Sequence, residues 1–125
     1  MKTLPKEVCD AWESRKGPIV FTTVDEQQRP NAIYATCVSK YDDQRLLVAD
    51  NFFGKTRQNI LSGSKGSILF ITEDDTSFQI KGRIEYHCKG DVYKDMKKWN
   101  PIKLPGRAVA ILIVEEVYSG SKQLL

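Results

Sequence analysis

Short segments rich in β-branched and aromatic residues follow one another closely along this chain, and their spacing restricts the fold more than any other feature of the sequence. Such residues favour strands, and tight polar turns separate several of the segments. The predicted strands cover residues 19–24, 31–40, 45–49, 67–72, 77–87 and 107–118. Six strands at this spacing predict a mainly β fold, an antiparallel β-barrel.

Two of these strands carry clear burial patterns. Along residues 77–87, apolar side chains and Gly82 alternate with polar ones, which is typical of a strand with one buried face. Residues 108–114 are all apolar, so the last strand is expected to be buried on both faces. The tail that follows it, residues 119–125, is expected to be frayed.

Two to three short helices are predicted to cap the ends and the mouth of this barrel. They cover residues 5–16, 54–61 and 91–99. The first has an apolar stripe and ends before Gly17 and Pro18, a typical stop signal. Asp91 is the expected N-cap of the third.

Composition sets the size class and excludes several kinds of protein. With 125 residues, 41% of them apolar, the chain can form one domain with its own core but no large internal cavity. The longest apolar run is far shorter than a membrane-spanning helix, and residues 1–6 lack the apolar region of a secretory signal. Three cysteines are an odd number for a disulfide framework, so we expect a cytoplasmic protein with no membrane partner.

The charge distribution argues against nucleic acid as a partner. Nineteen Lys and Arg against sixteen Asp and Glu leave a net charge of +3. The densest basic stretch, residues 94–98, is interrupted by an acid, whereas nucleic-acid binders carry a denser basic stripe. A small barrel that binds nucleic acid stays the weaker alternative, and it predicts an affinity that falls steeply with salt.

No catalytic side chain and no metal site are expected. The only histidine, His87, is followed by Cys88, and neighbouring residues of a strand point to opposite faces, so the two do not readily share a metal. We expect His87 at the surface. The acidic groups at residues 42–43 and 73–75 lie in predicted turns, which favour Asp for backbone reasons.

The sharpest local feature is the segment 52–59, in which two phenylalanines and Gly54 precede a helix that opens with Lys55 and Thr56. Unpaired N–H groups at the start of a helix, a lysine and a hydroxyl suit a phosphate. Asn59 lies four residues after Lys55, on the same helix face. The alternative is an ordinary helix start with solvent-facing polar residues. The segment is not a P-loop, since the spaced glycine before the lysine is missing.

Gln79 and Lys81 form a second polar feature. They lie two residues apart on the polar face of one predicted strand, where they could hydrogen-bond to a ligand and supply a positive charge. The alternative is the ordinary outer face of a half-buried sheet.

Taken together, these segments resemble a known family, the pyridoxamine 5′-phosphate oxidase-like, FMN-binding split-barrel proteins, and in particular its short single-domain members. The resemblance covers residues 5–118. It is carried by the order and spacing of residues 30–35, 47–50, Gly54-Lys55-Thr56 with Asn59, 78–82 and the strand 110–117.

The resemblance implies that residues 1–125 form a single six-stranded split β-barrel domain, which forms a homodimer with FMN in a groove at the interface. By similarity, Lys55 and Thr56 hold the FMN phosphate, and the segment beside the isoalloxazine ring comprises Ile33, Tyr34, Ala35 and Thr36. The ring and ribityl side would be lined by Ala49, Asp50 and Asn51. Further contacts carried over from the family are Asn59, Gln79 and Lys81.

The function implied is that of a flavin-dependent oxidoreductase, with a small-molecule electron donor or substrate and with hydride or electron transfer through FMN. The alternatives are a non-catalytic FMN carrier or electron-transfer module, and a relative that binds a deazaflavin or haem. Pyridoxamine phosphate oxidases have a further C-terminal segment with Arg and His, and this sequence stops at Leu125, so oxidation of vitamin B6 is not expected. A barrel this small is filled by its own side chains, so the cleft is expected between two copies.

Overall fold

Eight strands and three helices make up the part of the chain, residues 2–125, that the computed structural model describes. The helices are α1 (Lys6–Glu13), α2 (Lys55–Leu61) and α3 (Asp91–Trp99). The strands are β1 (Ile19–Val24), β2 (Pro30–Ala35), β3 (Val38–Asp42), β4 (Arg45–Asp50), β5 (Lys65–Ile71), β6 (Ser77–His87), β7 (Ala108–Ser119) and β8 (Lys122–Gln123). None of the helices in this range is long and apolar enough to cross a bilayer.

The strands form one antiparallel sheet in the order β2-β1-β5-β6-β7-β4-β3, with β8 paired to β7. The two edge strands, β2 and β3, are consecutive in the chain. The sheet therefore curls until its edges approach each other, but they do not pair, and the barrel stays split. The predicted antiparallel split barrel is confirmed, with eight strands instead of six.

The prediction of a single strand at residues 31–40 was wrong. The chain breaks at Thr36 and Cys37 and leaves one edge of the sheet for the other, because β2 pairs with β1 whereas β3 pairs with β4. Strand propensity shows that a segment is extended but not that it changes partners. Pro30, which has no N–H to donate, opens β2 and is tolerated because β2 is an edge strand.

The prediction of a frayed tail at residues 119–125 was also wrong. Gly120, with a φ of 58°, turns the chain back so that Tyr118 pairs with Gln123. Leu124 then donates its N–H to the carbonyl of Val117 at 2.8 Å, and the last two leucines pack against the core. A short apolar end can be ordered when a neighbouring strand offers free backbone groups.

The core has two layers, one inside the barrel and one outside it. The inner layer holds the fully buried Phe21, Ile68 and Ile80 and is closed at one end by α1, whose Trp12 meets Phe70 edge-on at 5.2 Å between ring centroids. The outer layer lies between α3 and the strands β4 and β7, and Met96 is its buried helical member. Because β7 is covered on both sides, its residues 108–114 are all buried, as predicted.

The alternation predicted for residues 77–87 is confirmed in β6, and Gly82 explains how the strand fits. A Cβ at this position would lie 1.7 Å from the carbonyl oxygen of Ile113, so no larger residue is accommodated. The register shifts between Lys81 and Gly82 where β6 pairs with β7. The alternation of side chains along β6 places Gln79 and Lys81 on the outer face of the sheet.

The three helices are confirmed, with small corrections to their ends. The first is shorter than predicted, Lys6–Glu13 instead of residues 5–16, and Asp91 is the first residue of α3 instead of its N-cap, which is Gly90. Gly54, with a φ of 55°, takes the left-handed conformation that turns the chain from Phe53 into α2.

Candidate functional site

A cavity of about 250 Å³ opens where β2 ends and β4 leads towards α2. The structure brings six of the predicted site residues together around it, which are Ile33, Tyr34, Ala35, Thr36, Ala49 and Asn51. The first four come from the end of β2 and the residue after it, so the break at Thr36 helps to form the cavity wall.

The rest of this wall is formed by residues that the sequence did not point to individually, namely Cys37, Phe52, Phe53 and Leu104. Within residues 2–125, no charged side chain lines the cavity. Tyr34 and Phe52 are 78% and 75% exposed, and exposed apolar surface of this kind marks binding sites. The chemistry of the wall therefore suits a flat, apolar group that stacks on aromatic rings.

Leu104 reaches this wall because the loop after α3 is fastened to Asn51. The amides of Asn51 and Asn100 are buried and donate to each other, at 3.0 Å in both directions. Asn51 Oδ1 also accepts the N–H of Gly106 at 2.8 Å. Both ends of the loop thus bond to one residue of the cavity wall, through contacts between residues 49 and 55 positions apart, which left no local signal in the sequence.

Lys55 and Asn59 lie at a second cavity, of about 350 Å³, between the exposed side of α2 and the turn that joins β1 to β2. Lys55 Nζ is 3.8 Å from Asp25 Oδ2. Hydrogen bonds from the backbone of Arg29 and Gln27, with the charge of Lys55 nearby, hold the pKa of Asp25 below its ordinary value. The Asn59 amide is itself buried and donates to Thr23 Oγ1 at 3.0 Å, so it also fastens α2 to β1.

Thr56 does not face the cavity around Lys55. Its side chain is fully buried, and its hydroxyl accepts a hydrogen bond of 3.1 Å from the Asn31 amide. It therefore holds the start of α2 against β2, and Lys55 is the residue of the predicted pair whose side chain borders the cavity.

Asp50 is buried in an ion pair and does not line the first cavity. Arg57 binds both of its carboxylate oxygens, through Nε at 2.7 Å and Nη2 at 2.9 Å, and Tyr86 and the Phe53 N–H complete its partners. Burial alone would raise the pKa of Asp50, but these hydrogen bonds outweigh burial and lower it. The same contacts raise the pKa of Arg57. This cluster joins the end of β4 to α2 and β6.

Gln79 and Lys81 lie outside both cavities, on the outer face of β6. Lys81 Nζ sits 4.7 Å from the ring centroid of Tyr118. The row of cross-strand neighbours that contains Gln79 runs over the outer face from Tyr34 through Val20, Leu69 and Gln79 to Tyr118. Three strand spacings of about 4.8 Å separate Gln79 from Tyr34 across the sheet. The side chains of these two residues in one chain are therefore too far apart to contact each other.

His87 lies at the surface, as predicted, with Nε2 3.0 Å from Glu85 Oε1. Nothing around it suggests a role in either cavity. Within the part of the chain that the structure describes, no three His, Cys, Asp or Glu residues lie close enough to hold a metal ion.

Comparison with known proteins places this architecture in a family. The family model described as pyridoxamine 5′-phosphate oxidase matches residues 5–120. A protein of Methanocaldococcus jannaschii named only as uncharacterized is 32% identical over 110 residues, which cover 82% of this chain and 74% of that protein.

Two solved structures illustrate the likeness of the fold. HupZ of Group A Streptococcus is 26% identical with a TM-score of 0.80, and the match covers 93% of each chain. An FMN-binding protein of Syntrophomonas wolfei shares the fold at 18% identity with a TM-score of 0.70, over 82% of this chain and 76% of that one. Because the family model spans nearly the whole sequence, the chain belongs to the pyridoxamine 5′-phosphate oxidase family.

Proposed function

We propose that this protein binds FMN and acts as a flavin-dependent oxidoreductase. The observation that carries the proposal is the placement of two chemically different cavities at the two ends of β2. The turn before β2 borders the cavity with Lys55 and Arg29, and the end of β2 borders the aromatic cavity. FMN has the same division, with a flat ring at one end and a phosphate at the other.

The aromatic cavity suits the isoalloxazine ring. Phe52, Phe53 and Tyr34 offer flat apolar surfaces. Because β2 is an edge strand, the backbone groups on one of its sides have no strand partner and can hydrogen-bond to the polar edge of the ring. We place Ala49 and Asn51 on the opposite wall, with Asn51 acting chiefly by holding Leu104 in position.

The second cavity suits the phosphate. Lys55 is about half exposed and, within residues 2–125, its ammonium group makes no hydrogen bond and lies 3.8 Å from Asp25, so it can bind a phosphate oxygen. We assign Thr56, which is buried, and Asn59, which is bonded to Thr23, to holding α2 in position. Between the two cavities, β2 covers six residues, about 20 Å at 3.3 Å per residue. The five-carbon ribityl chain is shorter than that, so we place the ring and the phosphate at the sides of the two cavities that face each other.

When bound, FMN supplies the hydride or electron transfer at its ring, which is why no acid, base or nucleophile of the protein is required. The task of this chain's residues is then to bind and orient the ring and to keep water from its face. An apolar wall without charged side chains serves that purpose.

We further propose that the working form is a homodimer. A cavity of about 250 Å³ is smaller than the 300–1,000 Å³ that is usual for ligand sites, so one chain offers an incomplete site. The outer face of the sheet carries the exposed Tyr34 and the partly exposed Leu69, an apolar surface that a second copy can cover. In such a dimer, Gln79 and Lys81 of one copy can lie beside the β2 strand of the other.

The test is the colour of the purified protein. It should show the visible absorption spectrum of a flavin, release FMN on denaturation, and elute with twice the mass of 14.2 kDa. A colourless protein that takes up no added FMN would contradict the flavin site, and a monomer that still binds FMN tightly would contradict the shared cleft.

A non-catalytic flavin carrier is the second candidate. It is favoured by one observation: within residues 2–125, no histidine, carboxylate or lysine lines the aromatic cavity, which leaves the Tyr34 hydroxyl and the Cys37 thiol as the proton-transferring groups in its wall. A steady-state assay with reduced nicotinamide cofactors and electron acceptors separates the two. Turnover by the FMN-loaded protein supports the oxidoreductase, and its absence supports the carrier.

A further inference from the structure

We propose that the turn between β1 and β2 forms the third wall of the phosphate site, with Arg29 as a second cation beside Lys55 and Asp25 as a built-in counter-charge that weakens the hold on the phosphate. The inference rests on the proposed function and makes it more specific. It predicts a cofactor that is bound reversibly, because the two cations are partly neutralised by a residue of the chain itself.

The turn fixes the position of the Asp25 carboxylate. Its Oδ1 accepts the N–H groups of Gln27 and Arg29, both at 2.9 Å, and the Asp25 N–H donates to the Arg29 carbonyl at 3.0 Å. A side chain held through one oxygen cannot swing away when a ligand arrives. Its other oxygen is therefore kept at the cavity that Lys55 borders.

Two cations face this second oxygen without bonding to it. Lys55 Nζ lies 3.8 Å and Arg29 Nη1 4.0 Å from Asp25 Oδ2, and both distances are too long for a hydrogen bond. The side chains of Lys55 and Arg29 are 54% and 75% exposed, whereas that of Asp25 is only 12% exposed. The donors of both cations are thus free for a phosphate, which Arg and Lys bind through charge-assisted hydrogen bonds.

Asp25 opposes that binding at the same time. A phosphate that contacts Lys55 comes well within the screening length of about 8 Å at physiological salt from the Asp25 carboxylate, so the two negative charges repel each other. Asp25 is ionised at neutral pH like an ordinary carboxylate, and the hydrogen bonds from the backbone of Arg29 and Gln27 lower its pKa further. The cavity therefore attracts a phosphate through Lys55 and Arg29, whereas Asp25, with the exposed Glu26 on the same wall, resists it.

The test compares FMN with riboflavin, which has the same ring and ribityl chain but no phosphate. The variant Asp25→Asn removes the charge and keeps Oδ1 as the acceptor of the turn. We expect it to raise the preference for FMN over riboflavin at least about threefold, the scale of one exposed charge pair, with riboflavin affinity unchanged. Arg29→Gln should lower the same preference.

Asp10→Asn is the matched control. Asp10 is exposed on α1, pairs with Lys6 and does not line this cavity, so the variant loses the same charge away from the two cations. An unchanged or lowered preference in Asp25→Asn, or an equal rise in Asp10→Asn, would overturn the inference while leaving flavin binding intact.

A second measurement separates this inference from the proposed function. Inorganic phosphate is titrated into the full chain while the backbone amide signals of Gln27, Arg29 and Lys55 are followed by NMR. If neither flavin binds, the proposed function fails, but shifts at these amides that saturate at lower phosphate concentration in Asp25→Asn uphold the anion site. No shift at these amides would overturn the inference.

Discussion

The two sides of α2 carry ion clusters of similar composition but opposite character. Towards the core, Arg57 donates two hydrogen bonds of 2.7 and 2.9 Å to the fully buried Asp50. Towards the solvent, Lys55 approaches Asp25 only to 3.8 Å, without a hydrogen bond. A buried pair must satisfy its donors and acceptors within the protein, whereas an exposed pair leaves them to water or to a ligand. The Asp50–Arg57 cluster therefore holds the site in position, whereas the Asp25–Lys55 cluster can bind a ligand.

The largest expected effect comes from breaking the buried cluster. Asp50→Asn leaves the Arg57 charge without its partner, and we expect a loss of about 2–4 kcal/mol in the free energy of unfolding, measured with urea. Asp10→Asn is the control, because Asp10 pairs with Lys6 on the exposed side of α1 and should cost less than about 0.5 kcal/mol. Equal losses in the two variants would remove the distinction between buried and exposed clusters.

The pH dependence of stability also distinguishes the buried cluster from the exposed one. The pKa of Asp50 is lowered in the folded protein, so the folded state holds its proton more weakly than the unfolded state does. The stabilisation is complete above the ordinary carboxylate range, about pH 4, and is lost as the pH falls through the lowered pKa. The stability gap between wild type and Asp50→Asn should thus stay constant above about pH 5 and narrow as the pH falls below about pH 4. A stability difference that stays constant over this acidic pH range would show that the charge of Asp50 does not contribute to stability.

The smallest expected effect comes from the exposed cluster. Lys55→Gln should change stability by less than about 0.5 kcal/mol, because a half-exposed side chain contributes little to folding. It should weaken FMN binding about fivefold, as expected for one exposed charge contact of about 1 kcal/mol, and leave riboflavin binding unchanged. A fluorescence titration with both flavins measures the difference. A loss of riboflavin affinity would mean that Lys55 acts through the fold instead of through the phosphate.

Part of the candidate site could be predicted because its residues are close in sequence. Ile33 to Thr36 share one strand end, and Lys55 and Asn59 lie four residues apart on one helix face, so local spacing was enough to group them. Their roles towards FMN stay predictions. Leu104 could not be grouped with them, since the Asn51–Asn100 contact that positions it joins distant parts of the chain.

The direction of side chains is a second property that could not be predicted from the sequence. Asp50 and Thr56 stand directly beside cavity residues in sequence, yet their side chains point into the protein and bond there. A polar residue on a strand or helix of unknown packing can face either way, and only its neighbours decide. For Gln79 the outer face was predictable from alternation, but its distance from β2 depends on the order of the strands.

The sequence by itself determined the elements whose causes are local. Alternating side chains gave β6, a continuous apolar run gave the buried β7, and Gly and Pro marked where elements end. Only the tertiary structure decided the break after β2, the docking of the C-terminal tail on β7, and which side of α2 is buried. Each of these depends on pairing between segments distant in sequence, and that pairing is chosen by the burial and hydrogen bonding of the whole chain.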